Sequence, residues 1–241
     1  MARYAIGDIH GCAKALRTLI QSIEPGTDDE LIFMGDYVDR GPDSRDVIEQ
    51  LIELKARCRV VALRGNHEVM LVGVALGGCD PEAWLRSGGA ATVASYGGAT
   101  SKIPSRHLEF LESLVPAYQT ETEIFVHAMY DPECDVHEQS DELTYWTHLP
   151  VPLPPPHGSG RRVYLGHTPQ ASGDVLFRPH LVCVDTYCFG GGYLTALDLT
   201  TERVVQVNRH GHVRKVPFMR MVGGLAACGR WFARGRIGSR L

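Results

Sequence analysis

Six side chains in this sequence have the types and spacings that hold divalent cations: Asp8, His10, Asp36, Asn66, His127 and His167. Asp8 and His10 stand two apart in Gly7-Asp8-Ile9-His10-Gly11, so on extended backbone both point to one face and can grip one ion. Asp36 lies in Gly35-Asp36-Tyr37-Val38-Asp39-Arg40-Gly41 and Asn66 in Arg64-Gly65-Asn66-His67-Glu68. His127 lies in Val126-His127-Ala128 and His167 in Gly166-His167-Thr168-Pro169. Taken singly, each is ordinary: a turn aspartate, a helix cap, a strand-end histidine. Taken together they share one placement, just after a short apolar run. Neutral imidazoles mixed with carboxylates and an amide oxygen suit borderline ions such as manganese, iron or zinc better than calcium or magnesium. Six ligands exceed what one tetrahedral site takes, which predicts two ions joined by a bridging carboxylate. Such a pair, roughly 3.5–4 Å apart, brings a shared water to a pKa of about 7 and clamps the oxygens of an in-line displacement. That chemistry fits phosphoester hydrolysis.

The elements that must position these residues alternate along the chain. Tyr4-Ala5-Ile6, Leu31-Ile32-Phe33-Met34 and Arg59-Val60-Val61-Ala62-Leu63 read as buried strands, each running into one of the first three polar turns. A helix is predicted at 13–23, where Leu16, Leu19, Ile20 and Ile23 recur at helical spacing before Pro25-Gly26. A second is predicted at 46–55, with Val47, Ile48, Leu51, Ile52 and Leu54 facing inward. The polar turns thus fall at the carboxyl ends of strands, the edge where open α/β sheets bind ligands. Residues 69–122 are helical in pattern but rich in glycine, and are expected to form an excursion over that edge. Strand character returns at 123–128, 163–167, 181–185 and 193–199, the last pairing with 203–207 across Thr200-Thr201-Glu202. The proline-rich run 149–156 favours polyproline geometry and predicts a surface loop.

Of the 241 residues, 44% are hydrophobic and 22% charged, which excludes collagen-like, disordered and disulfide-scaffold classes. No run of 18 apolar residues exists, no apolar leader follows Met1, and the seven cysteines include no Cys-x-x-Cys pair. A cytoplasmic protein with reduced thiols is the expectation. The net charge of −4 conceals an asymmetry: residues 209–241 carry eight Lys/Arg and no acid, leaving 28 acids against 16 bases elsewhere. An acidic body agrees with carboxylates gathered around cations and speaks against a nucleic-acid polymer as partner.

The succession GDIHG, GDYVDRG, RGNHE, VHA and GHTP, across about residues 4–208, resembles the calcineurin-like metallophosphoesterases. The branch resembled holds the phosphoprotein phosphatases and the symmetrical dinucleoside tetraphosphatases. The resemblance implies an α+β fold, a four-layer α/β/β/α β-sandwich flanked by helices, with a dinuclear manganese- or iron-type centre at the strand ends. Carried over residue by residue, it makes Asp8 and His10 ligands of the first ion and Asp36 the bridge. Asn66, His127 and His167 become ligands of the second ion. His67 becomes the general acid with Asp39 as its partner, while Arg40 and Arg64 hold phosphate oxygens. A metal-bridging hydroxide would attack phosphorus directly, without a phospho-enzyme. The residue chemistry agrees, since a planar guanidinium makes paired hydrogen bonds to phosphate. A carboxylate beside an imidazole also keeps it protonated near neutral pH, fit to protonate an alkoxide leaving group.

One departure stands out. Many relatives carry a further phosphate-binding arginine shortly after a tryptophan between the two later histidine motifs. Here Trp146 is followed by Thr147-His148, with no arginine until Arg161, so His148 is the candidate replacement. The segment from Trp84 to Gly97 resembles the helical excursion of bacterial members, and serves either as a wall of the substrate groove or as a structural cap. The motifs imply a metal-dependent phosphatase of phosphomonoesters, first of all phosphoserine and phosphothreonine in proteins or peptides. The alternative is a symmetrical bis(5'-nucleosyl)-tetraphosphatase acting on a dinucleotide; a catalytically silent metal-binding adaptor is the second alternative. Residues 1–215 are expected to form the catalytic domain and 216–241 a basic tail. Five glycines in that tail oppose a stable helix on an anionic membrane.

Overall fold

The computed structural model describes residues 1–215; the basic segment 216–241, and the tail expected there, lie outside the described residues. The chain opens with three strand–turn–helix repeats: β1 (Arg3–Ile6) and α1 (Ala13–Ile23), β2 (Glu30–Phe33) and α2 (Ser44–Lys55), β3 (Arg59–Ala62) and α3 (Asn66–Ala75). The excursion follows as α4 (Pro81–Trp84), a π-helical turn (Leu85–Gly89), α5 (Ala90–Ser95) and α6 (Ser105–Glu112). Then come β4 (Ala117–Gln119), β5 (Glu123–Val126), β6 (Arg162–Leu165), β7 (Leu176–Phe177), β8 (Leu181–Cys183), β9 (Tyr193–Asp198) and β10 (Val204–Asn208).

These strands make two five-stranded mixed sheets, ordered β10-β9-β1-β2-β3 and β4-β5-β6-β8-β7. In the first, β1, β2 and β3 are parallel and aligned, with Ile6 opposite Phe33 and Phe33 opposite Ala62. The turns that follow therefore emerge at one level. In the second, β5, β6 and β8 are likewise parallel. Ala5, Ile32, Met34, Phe125, Tyr164, Val182 and Leu197 fill the space between the sheets. The other face of the first sheet presents Ile6, Leu31 and Phe33 to a helical layer that includes Leu16, Leu19, Val47, Leu51 and Phe110. Strands buried on both faces read as continuous apolar runs, which is how β1 and β2 read in the sequence.

The expected α/β/β/α sandwich is present, and its fourth layer is mostly loop. Tyr130, Val136 and Leu149 cover Ile124, Val126, Val163 and Leu165, and the covering segment contains one π-helical turn, Glu142–Trp146. Two short strands depart from the sequence reading. Ala117–Gln119 lies inside the stretch read as helical and pairs antiparallel with β5, and β7 has only two residues. Neither is long enough to display a period. At the amino ends of the strands Arg3 bridges Glu30 (2.8 Å) and Glu123 (2.6 Å), tying the sheets together away from the turns. The six described cysteines are free. No helix among the described residues is long and apolar enough to cross a membrane.

Candidate metal centre

The turns after β1, β2, β3, β5 and β6 deliver all six candidate ligands to one edge of the sandwich, and all six are buried. Backbone carbonyls fix the tautomer of each candidate histidine. His10 Nδ1 donates to Val38 O (2.9 Å), His127 Nδ1 to Met34 O (2.7 Å) and His167 Nε2 to Trp146 O (3.1 Å). The opposite nitrogen of each ring therefore turns a lone pair inward, as a metal-ligating histidine does when its outer N–H is engaged. Burial lowers the proton affinity of all three, His10 and His167 to about 3, so they are neutral at pH 7. Asp36 stands between them, Oδ2 at 3.4 Å from His10 Nε2 and Oδ1 at 3.4 Å from His127 Nε2.

Asn66 gives the clearest sign that the donor arrangement suits a cation. Its amide tip lies 3.3 Å from both Asp36 carboxylate oxygens, 3.3 Å from His127 Nε2 and 3.2 Å from His167 Nδ1. With the amide oxygen inward, only lone pairs face one another there, an arrangement that a positive ion resolves. Two groups of ligand atoms within 4.8 Å of one another follow: Asp36 with His127 and His167, and Asp36 with His10 and His67. Asp36 belongs to both, as a bridging residue must. Asp8 stands outside both groups, its carboxylate accepting the His167 N–H at 3.0 and 3.2 Å. Burial, then Asp185 and Asp36, raise its pKa well above the carboxylate range. That crowding of acids again calls for a cation. The donor set fits a borderline divalent ion.

His67 differs from the other three rings. Its Nδ1 meets Asp39 Oδ2 at 2.7 Å. Burial opposes its charge, but the field of Asp36 and the hydrogen bond to Asp39 outweigh it, and its pKa is raised. Geometry alone would admit His67 as a ligand; the raised pKa is the property a proton donor needs. Arg40 reaches the centre, with Nη1 2.9 Å from His10 Nε2 and its guanidinium 4.6 Å over the Phe189 ring. Arg64 does not. Its Nη2 donates to the carbonyls of Glu112 (2.9 Å) and Leu114 (3.2 Å), so the phosphate contact expected of it gives way to a bond with the turn after α6. Trp84 is 1% exposed and so does not line a groove. His148 stacks on His167 with ring centroids 4.4 Å apart and 18° between planes.

Two acids that the sequence reading passed over complete the framework. Glu68 accepts four backbone N–H groups, from Asp36 (2.9 Å), Tyr37 (2.8 Å), Val38 (3.2 Å) and Gly65 (3.0 Å). Asp185, at the end of β8, is raised to about 7 by burial; it follows an apolar run like the other ligand turns, and that signal could have found it. His10, Asp36, Asp39, Arg40 and His167 all hold left-handed backbone, with φ between 45° and 69°. Each such residue costs about 1 kcal/mol or more and persists only where its surroundings enforce it. Gly35, at φ 103°, has no room for a side chain, since a Cβ would lie 2.6 Å from His127 Nδ1. Glu68→Ala is expected to lower the unfolding free energy by about 3 kcal/mol in urea titrations, because buried donors are left unmatched; a loss below about 1 kcal/mol would contradict this role.

Fold and donor set together define a class, the metal-dependent hydrolases with room for two ions. Residues 1–218 match the calcineurin-like phosphoesterase model, and the chain belongs to that family, whose members use a dinuclear divalent metal centre. A symmetrical bis(5'-nucleosyl)-tetraphosphatase of Janthinobacterium sp. (strain Marseille) is 26% identical over 272 aligned residues, spanning 88% of this chain and 98% of that one. The enzyme of the same name from Photorhabdus laumondii is 44% identical over 79 residues, 32% of this chain and 28% of that one. Among solved structures, one provisionally described as a diadenosine tetraphosphatase superposes with a TM-score of 0.65 at 22% identity, covering 86% of this chain and 92% of that one. A cold-active protein-tyrosine phosphatase from a psychrophilic Shewanella gives 0.60 at 17%, covering 88% and 79%. At such identities these two likenesses concern the fold alone.

Proposed function

We propose that this metallophosphoesterase splits dinucleoside tetraphosphates symmetrically. The order of the two readings is thus the reverse of the one drawn from the motifs. The observation that carries it is the near full-length similarity to a tetraphosphatase. We place the chemistry in residues 1–215 of a cytoplasmic protein.

Asp8, His10 and Asp36 would hold one ion, and Asp36, Asn66, His127 and His167 the other, with manganese, iron or zinc suited to the donors. When bound, the two ions supply a nucleophile from water near neutral pH and counter-charge for phosphate oxygens. Arg40 binds a phosphate oxygen through its planar fork, which the Phe189 ring supports from below. His67 holds a proton at the nitrogen turned away from Asp39 and delivers it to the departing oxygen. His148 is placed to meet a further phosphate beside His167.

With manganese supplied, kcat/KM on diadenosine tetraphosphate is expected to exceed that on a phosphoserine peptide by at least about tenfold, a margin that about 1.4 kcal/mol of differential transition-state binding provides. ADP should be the only nucleotide product. Release of ATP and AMP, or preference for the peptide, would overturn the proposal.

A further inference from the structure

We propose that Trp84 and Thr92 are positioning residues for the Asp39–His67 pair, so that the helical excursion over the sheet edge aims the acid. The inference rests on the reading of His67 as the acid. Asp39 is fully buried and its carboxylate takes three donors. Oδ2 accepts from His67 Nδ1 (2.7 Å) and Trp84 Nε1 (2.8 Å), while Oδ1 accepts from Thr92 Oγ1 (2.7 Å). The Thr92 hydroxyl also accepts the Asp39 N–H at 2.9 Å, so one residue grips both the backbone and the side chain of Asp39. Ser44 Oγ lies 2.8 Å from the same oxygen.

Both gripping residues come from one segment, folded around the π-helical turn. Gly89 lies against the Trp84 indole, where any Cβ would collide with the ring. Gly88, at φ 119°, brings its carbonyl to the Arg40 N–H (3.1 Å). The excursion therefore holds Asp39 and the phosphate-facing Arg40 together.

A carboxylate with a single partner can rotate, and the imidazole it orients moves with it. Three partners fix the carboxylate plane, and through it the His67 ring. This matters because a ring nitrogen of His67 lies within 4.8 Å of ligand atoms of His10 and Asp36. A ring free to swing would bind a cation there instead of delivering a proton. The clamp from the excursion separates those two fates.

The test compares full-length Trp84→Phe and Thr92→Val with the parent, on an alkyl phosphomonoester and on p-nitrophenyl phosphate, whose leaving group needs no acid. Expected is a fall in kcat of about tenfold on the alkyl ester, in line with one hydrogen bond to a charged group. KM should be unchanged, p-nitrophenyl phosphate turnover should stay within about twofold, and Thr92→Ser should restore the lost rate. Proton NMR of the chain, with and without zinc, should show the Trp84 indole N–H slow to exchange, and faster exchange of the His67 ring proton in Trp84→Phe. Equal loss on both substrates, or an unaltered His67 proton, overturns the positioning role. If Trp84→Phe does not fold, Thr92→Val and its serine rescue decide the matter. A His67→Asn variant without leaving-group discrimination would instead remove the acid reading beneath the proposal.

Discussion

Asp36→Asn is expected to lose at least one of the two ions per chain and to cut turnover by about a thousandfold or more. The amide keeps the shape of the carboxylate, and its oxygen can still accept the His67 backbone N–H now bound by Asp36 Oδ1 at 3.2 Å. It cannot offer an acceptor to both sides. One flank faces His10 Nε2 and the other His127 Nε2, each at 3.4 Å, and an NH2 group on either flank repels a cation. Losing one preorganised electrostatic stabiliser costs about 10²–10³ in rate, and loss of the nucleophile's activation adds to that. His67 would suffer as well, since Asp36 is the strongest influence raising its proton affinity. Metal analysis of the purified variant, alongside kcat, checks the expectation. Two ions retained with near-parental turnover would refute the bridging role.

The candidate ligand set was legible in the sequence because each member follows a short apolar strand, and parallel strands in register deliver such turns to one level. Asp8, His10, Asp36, Asn66, His127 and His167 needed no knowledge of side-chain direction beyond that. Arg64 shows where this logic stops. Its neighbours Gly65 and Asn66 are at the centre, but its guanidinium follows the carbonyls of Glu112 and Leu114, brought up by the turn after α6. Nothing local encodes that partner. Trp84 is a similar case, since its use depends on Asp39, 45 residues earlier in the chain. Glu68 was visible as the last residue of a motif, but three of its four backbone donors come from the turn after β2, about 30 residues earlier in the chain. The missed strands β4 and β7 failed for another reason: three and two residues carry no measurable alternation, and pairing with β5 and β8 defines them.

The leaving group decides what His67 is worth. For an alkyl phosphomonoester the departing oxygen is strongly basic, and His67→Asn should reduce kcat by about 10²–10⁴, the range of a positioned general acid. For a dinucleoside tetraphosphate the departing group is itself a phosphate, whose second dissociation lies near about pH 6. Such a group leaves at neutral pH with little help, so the same substitution should cost less than about tenfold on that substrate. The pH dependence follows the same sign. Burial opposes the charged ring, but Asp36 and Asp39 raise the His67 pKa above its ordinary value, so the acid form persists to higher pH than in a free imidazole and is lost as the pH climbs through the raised value. Alkyl ester turnover in the parent should therefore fall on the alkaline side, and that descending limb should vanish in His67→Asn. A variant equally impaired on both substrates, or one that keeps the alkaline limb, would show that His67 serves the centre as a ligand and not as a proton donor. An acid pair held by two further donors, Trp84 and Thr92, is more than an anhydride needs, so a large loss confined to the alkyl ester would mean that this centre retains the capacity for phosphomonoesters beside the tetraphosphate.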